Sequence, residues 1–141
     1  MLKSRIIGTG MYLPEKILTN ADAEKLCDTN DEWIRKRTGI EKRHIAGATE
    51  GSALLALKAS EMALENAGIT AQDLDAIIVC TVTPDQFFPA TANMLQGMLK
   101  ANNVPSFDLN AACSGYIFGL ATANAYIESG LYKTVLLVGT D

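Results

Sequence analysis

The sequence is poor in the side chains that build metal centres and disulfide frameworks. Its 141 residues hold three cysteines, Cys27, Cys80 and Cys113, with no pair at C-x-x-C spacing, and one histidine, His44. That inventory argues against a zinc site, so no metal is expected. Three scattered cysteines fit a reducing compartment, which makes the cytoplasm the expected location. No uninterrupted apolar run approaches the roughly 20 residues of a membrane span, so no membrane association is expected. The opening Met1-Leu2-Lys3-Ser4-Arg5 leads into a short strand pattern and does not read as a signal peptide. Nor is there an excess of positive charge: 12 basic against 16 acidic side chains leave a net −4. Nucleic acid is therefore not expected as a general partner, although a local basic site for a phosphate stays open. Low-complexity linkers and short repeats are also missing.

What is present is the material of a packed core. The chain has the length of one ordinary domain, and 48% of it is hydrophobic. Ile6-Ile7-Gly8-Thr9-Gly10 reads as a first strand closing in a glycine turn, with Pro14 in the loop beyond. Asn20 is placed as the cap of a short helix running toward Cys27. Asp28-Thr29-Asn30 supplies a second cap for a helix over 31–38, whose acidic residues come first, basic residues last, and which Gly39 stops. Leu55, Ala59, Met62 and Ala63 recur at helical spacing and predict a helix over 52–67, ended by Gly68. Residues 75–81 form an apolar run with Ile77-Ile78-Val79 at its heart, a buried strand. Pro84 and Pro89 bracket a loop, a helix follows over 91–99, and 106–110 is a strand. A helix from about 115 to 129 stops at Gly130, and 134–139 is the last strand.

Strands that alternate with helices and read as apolar runs argue for an α/β sheet covered on both faces. The chain stops at Gly139-Thr140-Asp141, just past an apolar strand, with no closing helix over that part of the sheet. The expectation is a fragment, or one half of a larger assembly.

Cys113 lies in Asp108-Leu109-Asn110-Ala111-Ala112-Cys113-Ser114-Gly115-Tyr116, where a strand gives way to an apolar helical pattern. A strand-to-helix elbow displays a nucleophile, and the small neighbours Ala111, Ala112 and Gly115 leave room for an acyl group. The helix N-terminus would favour the thiolate. Cysteine is also among the most buried residue types and packs as a small hydrophobe, so residue chemistry alone leaves both readings open for Cys113. Cys80, at the end of Ala76-Ile77-Ile78-Val79, and Cys27, late in a short helical pattern, read as structural.

The cysteine segment, taken with Asp31-Glu32-Trp33-Ile34-Arg35-Lys36-Arg37-Thr38-Gly39-Ile40 and Ile6-Ile7-Gly8-Thr9-Gly10-Met11-Tyr12-Leu13-Pro14, closely resembles β-ketoacyl-acyl carrier protein synthase III. The resemblance runs from about residue 3 to the end. It implies a thiolase-like layered α/β fold made of two similar halves, with residues 1–141 forming the N-terminal half, the C-terminal half absent from this chain, and a homodimer as the working form. It also implies an acyltransferase of fatty-acid synthesis. An acyl group passes from coenzyme A to a cysteine, and malonyl-acyl carrier protein then loses carbon dioxide so that its carbanion attacks the thioester. Coenzyme A thioester is thus a substrate, and no permanently bound cofactor is expected.

By that likeness Cys113 is the acyl acceptor. Independently of any name, a thiolate attacks a thioester well, and the enzyme thioester stays activated for carbon attack. The Cys113 amide would donate to the oxyanion, which needs a second donor; the resemblance implies that this donor comes from the other half. Trp33 and Arg37 are four residues apart and share a helix face. An indole can stack on adenine and a guanidinium can pair with phosphate, while the plain alternative is a surface cation–π contact. The resemblance assigns both to coenzyme A, with Thr29 as a further candidate nearby. In Phe87-Phe88-Pro89, adjacent loop aromatics suit ordinary packing or contact with another chain, and the resemblance makes Phe88 a dimer contact that reaches the partner's acyl pocket. His44 is not matched to the family's decarboxylation residues, a histidine and an asparagine of the C-terminal half. Asp108 and Asp85 are expected to serve structure. Two other readings stand beside this one: a thiolase or hydroxymethylglutaryl-coenzyme A synthase-like acyltransferase, and a non-catalytic binding or dimerisation module.

Overall fold

The computed structural model describes residues 3–101 and 103–141. They fall into two compact units, Leu13–Glu50 and, second, the leading segment up to Tyr12 together with Gly51–Asp141.

The smaller unit holds strand β1 (Ile17–Thr19), helix α1 (Asn20–Ala23), helix α2 (Asp31–Thr38) and strand β2 (Lys42–His44). β1 and β2 pair antiparallel, with Ile17 opposite His44 and Thr19 opposite Lys42. Neither strand is anticipated from sequence: three exposed or half-buried residues carry no alternation of polarity to read. The cap of α1 also differs from expectation. Thr19 takes that role, its hydroxyl accepting from the Asp22 amide while the Asp22 carboxylate accepts the Thr19 N–H, a reciprocal capping box. Asn20 is instead the first residue of the helix and is buried. Its Nδ2 donates to the Asp31 carboxylate at 2.7 Å and the Ile40 carbonyl at 2.9 Å, and its Oδ1 accepts from Arg43. A buried amide with this many partners holds four segments together, which a solvent-facing cap does not. α2 has the expected bounds. Asn30 Oδ1 accepts from the Trp33 amide at 2.8 Å, and Gly39 ends the helix in the left-handed region at φ 71°.

The larger unit contains helix α3 (Ser52–Ala67), strand β3 (Ala76–Cys80), helix α4 (Thr91–Leu99), strand β4 (Ser106–Leu109), helix α5 (Gly115–Glu128) and strand β5 (Val135–Gly139). The three strands form a parallel sheet in the order β4-β3-β5. All five residues of β3 are buried, as a strand covered on both faces requires. Ile77 and Val79 pack with Ala56 and Leu64 of α3, Ala92 and Leu95 of α4, and Leu136 and Val138 of β5. Ile78 and Cys80 pack with Ala123 and Tyr126 of α5 on the opposite side, beside Phe107, Leu109 and Leu137. The expected two-faced α/β sheet is therefore present.

Residues 6–10 do not form the expected strand: they are irregular, and Ile6 and Ile7 are exposed. The segment lies against α3 instead. A Cβ on Gly8 would meet the Ala63 carbonyl oxygen at 2.4 Å, and one on Gly10 would meet that of Ala59 at 2.2 Å. Only residues without a side chain allow so close an approach to helix backbone. α3 has the expected bounds, and its buried stripe is Ser52, Ala53, Ala56, Ser60 and Leu64. The stripe of Ala59, Met62 and Ala63 receives the glycine segment.

Aspartates fasten the connections. Asp85 caps α3 through the Ala53 amide at 2.8 Å, and Asp108 caps α4 through the amides of Thr91 at 2.8 Å and Ala92 at 2.7 Å. Asp141, just beyond β5, accepts from the Val82 amide and from the hydroxyls of Thr81 and Thr83.

Candidate active site

Cys113 stands at the carboxyl end of the parallel sheet, where α/β proteins place their ligands. β4 ends at Leu109, and after Asn110 and Ala111 the backbone makes one 3-10 turn over Ala112–Ser114 before α5 begins at Gly115. Ala112 adopts φ 47°, in the left-handed region. A residue with a Cβ is disfavoured there by about 1–2 kcal/mol, and such strain concentrates at functional positions. The turn leaves Cys113 exposed at the start of α5. Ser114, at the N-cap of α5, makes no side-chain capping bond. This start differs from those of α3 and α4, which Asp85 and Asp108 close.

The other cysteines occupy different surroundings. Cys80 is buried under α5, and burial first, then the nearby Asp108, pushes its thiol up from the ordinary value. That thiol stays protonated and serves as packing. Cys27 is exposed, against the expectation of a structural role, and its thiol lies 3.6 Å from the Ala23 carbonyl. The α1 helix ends four residues earlier, so no buried face is available to it.

In the smaller unit, α2 brings Trp33 and Arg37 together. The Arg37 guanidinium carbon lies 5.3 Å from the indole centroid, and Trp33 is 53% exposed. Arg35 is committed elsewhere: its Nε donates to both Asp31 oxygens at 2.9 and 2.8 Å, and its Nη1 reaches Glu41. The Asn20 amide first, and Arg35 second, hold the Asp31 carboxyl below its usual range. No ion pair engages Arg37 among the described residues, so its charge faces outward beside the indole. Thr29 is half-buried just before the cap Asn30.

Phe87 and Phe88 sit at 103% and 88% exposure in the loop after β3. His44 is turned inward, its Nδ1 2.6 Å from the Pro14 carbonyl. Asp85 and Asp108 spend their oxygens on backbone amides, the structural role expected of them. Sequence reasoning missed the left-handed Ala112 and the close seating of α5 on Cys80. The spacing Gly115-x-x-x-Gly119 was the available signal for the second, since it clears one side of a helix.

Comparison with known proteins draws these features together. Residues 107–141, the stretch from β4 through α5 to the chain end, match the family model of 3-oxoacyl-[acyl-carrier-protein (ACP)] synthase III. A curated β-ketoacyl-[acyl-carrier-protein] synthase III of Rickettsia canadensis is 57% identical over 137 residues, covering 97% of this chain and 43% of that protein. The crystal structure of 3-oxoacyl-[acyl-carrier-protein] synthase III from Aquifex aeolicus superposes with a TM-score of 0.93 at 48% identity, over 99% of this chain and 44% of that one. The Thermus thermophilus synthase III gives a TM-score of 0.90 at 44% identity, over 96% and 42%. The fold is a thiolase-like α/β half. The chain belongs to the β-ketoacyl-acyl carrier protein synthase III family and spans somewhat under half the length of the relatives it matches. No helix of the described residues is long and apolar enough to cross a membrane.

Proposed function

We propose that this chain carries the acyl-accepting part of a condensing enzyme that starts fatty-acid synthesis, as the N-terminal, cysteine-bearing half of that fold. The observation that carries the reading is Cys113, exposed after a strained turn at the start of α5, in a chain of the synthase III family. The Cys113 thiolate attacks the carbonyl carbon of an acyl-coenzyme A. The oxyanion of the tetrahedral intermediate accepts from the Cys113 amide, and the carbon–sulfur bond to coenzyme A breaks, releasing its thiolate. In the second half-reaction malonyl-acyl carrier protein loses carbon dioxide. Its carbanion attacks the Cys113 thioester and expels the cysteine thiolate, which restores the acceptor.

Trp33, Arg37 and Thr29 are the residues we assign to the nucleotide end of coenzyme A. The half-exposed indole and the unpaired guanidinium beside it suit adenine and phosphate. Phe88 is assigned to a homodimer contact and to acyl-chain selection, on its near-complete exposure. His44 is given no step, since its ring nitrogen is engaged by Pro14. No permanently bound cofactor enters the scheme, and the cytoplasm is the setting we assign. Acyl transfer, and not condensation, is the step to test on this chain. Incubated with acetyl-coenzyme A, it gains one acetyl mass on Cys113, read by intact and peptide mass spectrometry. Cys113→Ala abolishes the adduct, and labelling that persists at the same stoichiometry in this variant overturns the assignment.

A further inference from the structure

We propose that Gly119 is a positioning residue for Cys113, its bare backbone resting on Cys80 and Leu137 so that these sheet residues set the height at which α5 presents the thiol. The proposal builds on the reading of Cys113 as acyl acceptor and concerns what holds that acceptor in place.

Gly115 and Gly119 are both buried and lie one turn apart on the side of α5 that faces the sheet. They are not equivalent. A Cβ on Gly115 would lie 3.6 Å from the Cys80 Cβ and 3.8 Å from the Leu109 carbonyl oxygen, an ordinary contact. A Cβ on Gly119 would lie 2.6 Å from Cys80 Sγ and 2.7 Å from Leu137 Cδ1. Gly119 is therefore the closer seat, and two neighbouring strands form it: Cys80 ends β3 and Leu137 is in the middle of β5. Carbon contacts settle at about 3.5–4.0 Å, so a methyl group at 119 forces α5, Cys80 Sγ or Leu137 Cδ1 to give by about 1 Å; the proposal is that the helix gives, because both side chains are packed in the cluster between α5 and the sheet.

A helix moves as a rigid body, and Cys113 rides on the turn that leads into it. That turn is held by few bonds: the Ser114 amide to the Ala111 carbonyl at 3.1 Å and the Gly115 amide to Ala112. A lift at 119 is thus passed to the thiol. Misplacement of a reacting atom by about 1 Å costs up to about 100-fold in rate. The Trp33 and Arg37 pair lies in the other unit and is untouched by the substitution.

The test follows the alkylation of Cys113 by iodoacetamide against pH, together with its acylation by acetyl-coenzyme A, in the full 141-residue chain carrying Cys27→Ser. Thermal melts report folding. Gly119→Ala is expected to remain folded, to shift the pH profile of Cys113 alkylation, and to slow acylation on the order of tenfold or more. Adding Cys80→Ala and Leu137→Val removes the atoms in the way and restores both readouts. If Gly119→Ala is unfolded, Cys80→Val, which fills the same gap from the sheet side, takes its place and is expected to shift the profile. A folded Gly119→Ala, or in its stead Cys80→Val, with the parent profile overturns the proposal. So does a triple variant that is unfolded or still altered. A parent chain whose Cys113 is alkylated but takes no acyl group contradicts the acyl-acceptor reading alone, and the alkylation profiles still decide the role of Gly119.

Discussion

Cys80 and Cys113 begin from similar positions: one ends β3, the other follows the end of β4, and the two strands are parallel neighbours with Cys80 opposite Leu109. Their environments are opposite. After Cys80 the chain continues through buried Thr81, and the thiol stays beneath α5 in contact with the Gly119 seat. After Leu109 the chain turns through the left-handed Ala112 and brings Cys113 out at the helix start. Arrival at the carboxyl edge of a parallel sheet is therefore not enough to make a cysteine a candidate nucleophile. The connection that follows the strand decides whether the sulfur is buried as packing or exposed at a helix start.

The largest expected effect breaks this pair apart. At a pH where Cys113 is fully alkylated, Cys80 of the folded chain remains unmodified by residue-resolved mass spectrometry. Cys113→Ala leaves stability within about 0.5 kcal/mol, as an exposed substitution does. Equal labelling of the two thiols would remove the contrast. Next is Asp108, which lies between the two connections. Asp108→Ala strips two amides of α4 of a charged acceptor and lowers unfolding free energy by about 2 kcal/mol in a denaturant titration. Its effect on Cys113 alkylation is far smaller, because the α5 start uses no such cap.

A smaller effect is expected at the turn itself. Ala112→Val places a β-branched residue at positive φ and costs about 1–2 kcal/mol, whereas Ala112→Gly is neutral or stabilising. Urea midpoints of the two variants check the sign. The smallest effect lies away from both thiols. Asp22 is held at a pKa of about 2, against an ordinary 3.8, by the Thr19 hydroxyl first and Lys25 second. A carboxyl with a depressed folded value contributes stability that is fully present above about pH 4 and is lost as pH falls toward 2. Asp22→Asn therefore flattens the acid limb of unfolding between those values. The fluorescence of Trp33, the single tryptophan, reports it. Both thiols keep their reactivity in that variant.

Helices with chemical punctuation were legible in the sequence. Residues 31–38 have the expected bounds because Asn30 caps them and Gly39 stops them, and 52–67 because Gly68 ends an apolar helical pattern; 91–99, between Ala90 and Lys100, has the expected bounds without such punctuation. β3 was legible because five consecutive buried residues leave no ambiguity of period. Strands β1 and β2 were not, since three residues with no alternation of polarity gain their pairing from partners distant in sequence. The apolar look of Ile6 and Ile7 misled for a related reason: Gly8 and Gly10 record an approach to helix backbone, not a turn after a strand. At the site, residue chemistry made Cys113 a candidate and left it open, and the resemblance singled it out; the positive φ of Ala112 carries no compositional mark, because glycine is the residue such a position normally advertises.

The loop after β3 is tied down at its root. Thr81, Val82 and Thr83 are bonded to the Asp141 carboxylate, and Asp85 is bonded to the first turn of α3. Phe87 and Phe88, two and three residues further on, are bare to solvent. Folding of the larger unit has thus already removed much of the backbone freedom that a loop surrenders when it docks. Any surface that receives these two rings meets them with part of the ordering entropy of association lost beforehand, so the apolar area they bury is offset by a smaller conformational cost than a freely moving loop would carry.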